Sequence, residues 1–183
     1  MDRQTVERVA SYYPPQEQAK DDMVFSEAFR KPIRARRYLE MKDLLRIADW
    51  KSPRPKPLLR SNSAELLQTV SRKAFAERDP EEAIRHLDRL RGVSVRMASA
   101  ILTIYEPDTY TTLDQNAWRS LARLGYVDDP GTNLDAFLSK PETYAPYLAT
   151  CRNLATDCRV SLRTLDKCLW VLRGRTPAEF FGT

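Results

Sequence analysis

Gly92 is the only glycine between positions 1 and 124, and it falls between two stretches whose apolar residues recur at helical spacing. Ala83, Ile84, Leu87 and Leu90 form a stripe on its N-terminal side, and Ala98, Ile101, Leu102 and Tyr105 form another on its C-terminal side. A residue that tolerates positive φ, set where one helix must end and the next begin, predicts a sharp reversal through Arg91-Gly92-Val93-Ser94. Asp79 as N-cap, Pro80 at the first helical position and Glu82 as the acid of a capping box predict the start of the first helix. Ser94 can cap the second, where small residues at Ala98, Ser99 and Ala100 permit close approach of a neighbour.

Beyond this hairpin, Glu106 to Leu113 carries turn and β-branched residues that break the helical pattern. Asp114 then opens Gln115-Asn116-Ala117-Trp118-Arg119, with Trp118, Leu121 and Leu124 on one face and Gly125 at the end. Two local readings stand side by side. Amides from Gly92 to Val95 at a helix N-terminus form an anion site by geometry and dipole, yet the same spacing describes a plain αα-hairpin. Asp114, likewise, is locally an N-cap.

The rest of the chain also reads as helical. Short helices are expected over Thr5–Tyr12, stopped by Pro14-Pro15, and over Asp21–Arg30. Pro32 suits the first turn of a helix through Ala48, with Arg30, Lys31, Arg34, Arg36 and Arg37 crowding its start. That reads as a solvated basic face, or as cations awaiting an anion, since they oppose the helix dipole there. Residues 50–60, WKSPRPKPLLR, predict a Pro-rich loop on an extended path from which Lys51, Arg54, Lys56 and Arg60 project. It serves equally as a phosphate-tracking loop or as a linker. Ser61-Asn62-Ser63 caps a helix from Ala64 to about Glu77. Asp128-Asp129-Pro130-Gly131 marks a turn, followed by helices near Leu134–Leu138, Tyr144–Val160 and Ser161–Gly174, and Phe180-Phe181 dock on the body.

At 183 residues, 42% of them hydrophobic and 30% charged, the chain suits one folded unit or two small helical lobes sharing a core. It has no apolar run of about 18 residues and no apolar stretch near its start, so no membrane partner and a cytoplasmic location are expected. A net charge of +5 permits a nucleic-acid partner without requiring one.

The segment spanning Leu90, Gly92, Val93, Ala98 and Ile101-Leu102, then Leu113-Asp114, Asn116, Arg119 and Leu121-Ala122-Arg123, resembles the helix–hairpin–helix DNA glycosylase superfamily. Leu113-Asp114-x-Asn116 with Arg119 looks most like the adenine-mismatch branch, beside the endonuclease III branch. The similarity covers about a fifth of the chain, in residues 80–125. It implies an all-α fold, residues 1–183 forming one helical unit of two lobes with a cleft between them. It implies double-stranded DNA as partner, with the backbone held by Arg91, Gly92, Val93, Ser94 and Val95. Asp114 would be the catalytic carboxylate, facing a deoxyribose as the glycosidic bond to an extruded base breaks. Arg96, Asn116 and Trp118 would lie in the catalytic pocket.

Two departures narrow that expectation. Bifunctional members carry a lysine 18 residues before the aspartate, where this chain has Arg96. A guanidinium stays protonated and cannot form an imine, so hydrolysis rather than lyase chemistry is expected. The hairpin has Arg91 and Ser94 where the family has proline and a second glycine, so Ser94 limits how closely a phosphate can approach the backbone while Arg91 can compensate with charge. A catalytically inactive DNA-binding protein of the same fold is the alternative. No metal or cofactor is expected. Cys151 and Cys158 are spaced like the first pair of an iron–sulfur cluster, but Cys168 is out of register and no fourth cysteine exists. On helices these read as small core residues. Tyr12, Tyr13 and Trp50 are candidates to stack on a base, and His86 lies on the helix before the hairpin.

Overall fold

The computed structural model describes residues 1–182, and all regular structure among them is helical. The helices are α1 (Arg3–Ala10), α2 (Pro15–Phe25), α3 (Glu27–Arg36), α4 (Met41–Lys51), α5 (Lys56–Leu59), α6 (Ala64–Ala76) and α7 (Pro80–Leu87). They continue as α8 (Val95–Tyr105), α9 (Gln115–Arg123), α10 (Leu134–Phe137), α11 (Tyr144–Asp157), α12 (Leu162–Leu172) and α13 (Pro177–Phe181). Single 3₁₀ turns sit at Gly131–Asn133 and Pro141–Thr143.

The architecture is wound around α8. Every residue of this helix except Arg96 is buried, as befits a helix apolar on all sides. Against it lie α3, α4 and α7. The chain termini join the same body: α1 packs along α12, and α12 along α9. Cys151, Cys158 and Cys168 are free thiols buried in this packing, and burial pushes the Cys168 thiol up to about 12.

Local sequence explains most helix boundaries. Asp79 accepts from the amides of Glu81 and Glu82 at the head of α7, and Ser63, Ser94 and Ser161 cap α6, α8 and α12. The N-terminal third departs from expectation. Ser26 is extended and caps α3 through the Phe29 amide, so the helix expected over Asp21–Arg30 is split there. Pro32 lies inside α3 rather than at a start, and the helix ends where Arg37 takes φ 60. A new capping box of Glu40 and Asp43 then begins α4. Arg34 and Arg36 therefore occupy the last turn of α3, where the dipole favours cations, and Arg36 is ion-paired with Asp43.

The Pro-rich segment also differs from the extended loop expected of it. Trp50 and Lys51 complete α4, Ser52 is extended, and Lys56–Leu59 closes a helical turn with Pro57 near its start. Leu59, fully buried, drives that turn against the hairpin. A Cβ built on Gly92 (φ +83) would fall 2.9 Å from Leu58 Cβ and 3.1 Å from the Leu59 amide nitrogen. The buried Asn62 side chain fastens the two pieces together. Its Oδ1 accepts from the Arg91 amide at 2.9 Å, and its Nδ2 donates to the carbonyls of Leu59 and Arg91 at 2.9 Å.

Gly92→Ala is expected to lose about 2–4 kcal/mol in urea unfolding, more than backbone strain at positive φ alone, because the added methyl meets α5 backbone as well. Gly125→Ala, also at positive φ but with open space around the position, is expected to lose no more than about 1 kcal/mol.

Candidate functional site

The extended segment between α8 and α9 runs through the interior, where its backbone polar groups need partners. Tyr110, Thr111, Thr112 and Leu113 are all buried. Ser99 Oγ accepts from the Leu113 amide at 2.9 Å. Two fully buried tyrosines of α11 donate their hydroxyls to carbonyls: Tyr144 to Thr111 and Tyr147 to Thr112, each at 2.9 Å. Arg152 donates to the Thr109 carbonyl at 2.6 and 2.9 Å. Four side chains from α8 and α11 thus fix the path that delivers Asp114 to the start of α9.

Asp114 has two attachments. Oδ1 accepts from the Asn116 amide at 2.8 Å, so the expected N-cap is present. Oδ2 meets Lys51 Nζ, from the end of α4, at 2.9 Å. Burial raises the carboxyl's pKa, but the Lys51 ammonium and the amides of Asn116 and Ala117 outweigh it and hold the group below the usual carboxylate range. Asp114 is therefore an anion at neutral pH, with its side chain 23% exposed.

That exposure opens into two adjoining hollows that share Asp114 and Lys51 as a common wall. The larger, about 670 Å³, is lined by Gly92, Val93 and Ser94 of the hairpin, by Arg54 and Pro55, and by Arg96 and Asn116. The smaller, about 290 Å³, is walled by Tyr13, Trp50 and Trp170, with Glu17, Asp49, Arg163 and Asp166 as polar groups. Behind it lies a buried charge cluster. Asp21 accepts from Trp50 Nε1 at 2.9 Å and from Arg163 Nε at 3.1 Å, and Arg163 also pairs with Asp166. The guanidinium stands 4.9 Å from the Phe25 ring centroid and 5.6 Å from that of Tyr13. Burial raises the Asp166 carboxyl despite Arg163 beside it.

The structure sorts the residues singled out in the sequence. Asp114, Arg96, Asn116, Gly92, Val93 and Ser94 gather around the larger hollow. Arg96 does not touch Asp114 and instead pairs with Asp135 at 2.9 Å. Trp118 lines neither hollow: it is buried, donating Nε1 to the Asp128 carbonyl at 3.2 Å and packing edge-on against Phe137. Val95 is buried too, its side chain serving the core of α8. The hairpin amides are not all available. Arg91 N is taken by Asn62 and Val93 N by the Leu90 carbonyl at 3.0 Å. Tyr13 and Trp50 wall the smaller hollow, whereas Tyr12 is exposed against Phe180 and Phe181. His86 lies near Glu77 and lines neither hollow.

Sequence reasoning gave Asn62 only a place in a helix cap, gave no role at the site to Tyr144, Tyr147, Arg163 or Trp170, and placed Lys51 in a loop rather than at the aspartate. Each acts through a contact far away in sequence, which local periodicity does not encode. Comparison with protein-family models, with curated proteins and with solved structures returned no match.

Lys51→Met is expected to raise the Asp114 carboxyl, because burial then acts with only the helix amides against it. Carboxyl-detected NMR titration measures the rise. Since the wild-type carboxyl is depressed in the folded state, the pair stabilises the protein above the ordinary carboxylate range and loses that effect as pH falls through the depressed value. The stability gap between wild type and Lys51→Met is therefore about 2 kcal/mol at neutral pH and closes as pH falls through the depressed value of Asp114.

Proposed function

We propose that this chain is a DNA-binding base-excision protein with a helix–hairpin–helix glycosylase-like fold, two lobes meeting at the Asp114 hollows. Its activity is monofunctional: hydrolysis of the N-glycosidic bond of a damaged or mispaired base, with Asp114 as the catalytic carboxylate. One observation carries this reading. An ionised, partly exposed carboxylate stands between a hollow lined by the hairpin and cations and a hollow walled by aromatic rings.

Each part has a task in that chemistry. In the larger hollow, Arg54 and Arg96 offer charge to backbone phosphate beside the hairpin. The smaller hollow takes the extruded base, its aromatic walls replacing the stacking lost on leaving the duplex. Asp114, at the junction, faces the sugar. As the base departs, positive charge grows on C1′ and the ring oxygen, and a fixed carboxylate stabilises it without reorganisation. Water then adds to C1′ and gives up a proton, and the base leaves protonated. Lys51 acts as a positioning residue that keeps Asp114 charged before substrate arrives.

A second reading has a specific observation in its favour. Although Arg96 fills the position of the family's imine-forming lysine, Lys51 places another amine 2.9 Å from Asp114. An amine attacking C1′ must present a free lone pair to the carbon, whereas Lys51 Nζ is engaged in donating to Asp114 Oδ2. Hydrolysis is therefore the favoured course.

The test is base release from a panel of duplexes, each holding one lesion or mismatch. Asp114→Asn should lower release at least about 100-fold while duplex binding persists. Binding with no release from any substrate would instead support the inactive DNA-binding alternative. Borohydride trapping of a covalent product, lost in Lys51→Met, would support the lyase reading.

A further inference from the structure

A third hollow, of about 460 Å³, lies at the other end of α9, between Arg119, Arg123 and Arg173, with Gly174, Gly131 and Asp129 around it. Its arginines differ in what they already hold. Arg123 is ion-paired with Glu179, which keeps that carboxyl down at about 2. Arg119 and Arg173 have no ion pair among the described residues, and both are exposed. Asp129 is the one carboxylate around the hollow.

This cluster is held in place by buried contacts. Ser120 Oγ donates to the Leu169 carbonyl at 2.7 Å and accepts from the Gly174 amide at 2.9 Å, pinning the end of α12 to α9. The approach is tight enough that a Cβ on Gly174 would fall 3.1 Å from Arg119 Cβ. Arg173 takes φ 52 to end the helix, and its guanidinium lies 4.6 Å over the ring of Trp170. Trp170 is itself a wall of the aromatic hollow.

Helical geometry joins this hollow to the hairpin. Residues three and four apart share a helix face, so Asn116, Arg119 and Arg123 form one row on α9. Asn116 lines the hairpin hollow and the two arginines line this one. From Asn116 to Arg123 the row spans about 10 Å at about 1.5 Å per residue, the length of about three base-pair steps measured along a duplex axis at about 3.4 Å each.

We propose that Arg119 and Arg173 form a second phosphate-contact site, continuing along α9 the strand path that begins at the hairpin, so that the protein grips the nucleic-acid backbone on two sides of Asp114. The inference rests on the DNA-binding reading above and adds to it the course of the bound strand. Two uncompensated guanidinium groups beside a single carboxylate favour an anionic ligand. The continuous row from the hairpin hollow favours a polyanion over an isolated phosphate.

The experiment is anisotropy of a fluorescent DNA duplex titrated with the full chain across a salt series. The double variant Arg119→Gln/Arg173→Gln should bind more weakly, and its log–log salt slope should fall by about two, one for each contact removed. Arg3→Gln, on α1 and paired with Glu7, should leave the slope unchanged. Arg54→Gln/Arg96→Gln, at the hairpin hollow, should also lower the slope, which separates the two claims. If that variant lowers the slope while Arg119→Gln/Arg173→Gln retains the wild-type value, the second site is refuted and the DNA-binding reading stands. If wild type fails to bind duplex at low salt, both fall. A matching thermal unfolding curve for each variant ties any loss to binding rather than folding.

Discussion

The structure depends on a buried stretch of chain that is not helical. Helices satisfy their own backbone groups, and an extended segment inside a helical body does not, so other residues must supply the missing donors and acceptors. Between α8 and α9 that supply comes from Ser99, Tyr144, Tyr147 and Arg152. These bonds set the depth and direction at which Asp114 emerges. Its electrostatic state follows from that position, near enough to Lys51 and the α9 amides to remain charged although largely enclosed.

A second constraint acts on the hollows. Trp50 and Lys51 are neighbours at the end of α4, yet they answer to different partners: Trp50 to Asp21 and Lys51 to Asp114. The last turn of one helix thereby links the buried charge cluster around Arg163 to the partly exposed carboxylate of Asp114. The Asp21–Arg163–Asp166 cluster is costly to bury and is offset only by near-complete pairing. Because Arg163 and Asp166 line the aromatic hollow, the cluster makes one of its walls polar.

Much of this was legible in the sequence where physics is local. The caps at Ser63, Asp79, Ser94 and Asp114, the reversal at Gly92 and the all-helical class follow from side-chain chemistry within a few residues. The Arg30–Arg37 region misled because Pro32 is as acceptable at a helix start as it is disruptive inside one. Tertiary contacts held α3 together across it, with Arg30 Nε bonded to the Ile104 carbonyl at 3.0 Å. Residues 50–60 misled for the opposite reason: proline suggested extension, but burial of Leu59 favoured a turn of helix. At the candidate site, spacing alone gave a reversal and an N-cap, and only the resemblance singled out Asp114 and the hairpin, whereas Lys51 reaches Asp114 from 63 residues away. No pattern of period two or 3.6 carries such a pairing.

The clasp between Gly92 and residues 58–62 has a bearing on how the hairpin could be moved between proteins. The pair α7 and α8 is easily drawn as a cassette, two helices and a turn. Here the turn is completed from outside: Leu58 and Leu59 supply the surface its glycine lies on, and Asn62 supplies the acceptor for its Arg91 amide. A graft of residues 80–105 onto another scaffold would carry a glycine facing solvent and an amide without its partner. The portable unit is discontinuous, and its boundary includes the proline-rich turn.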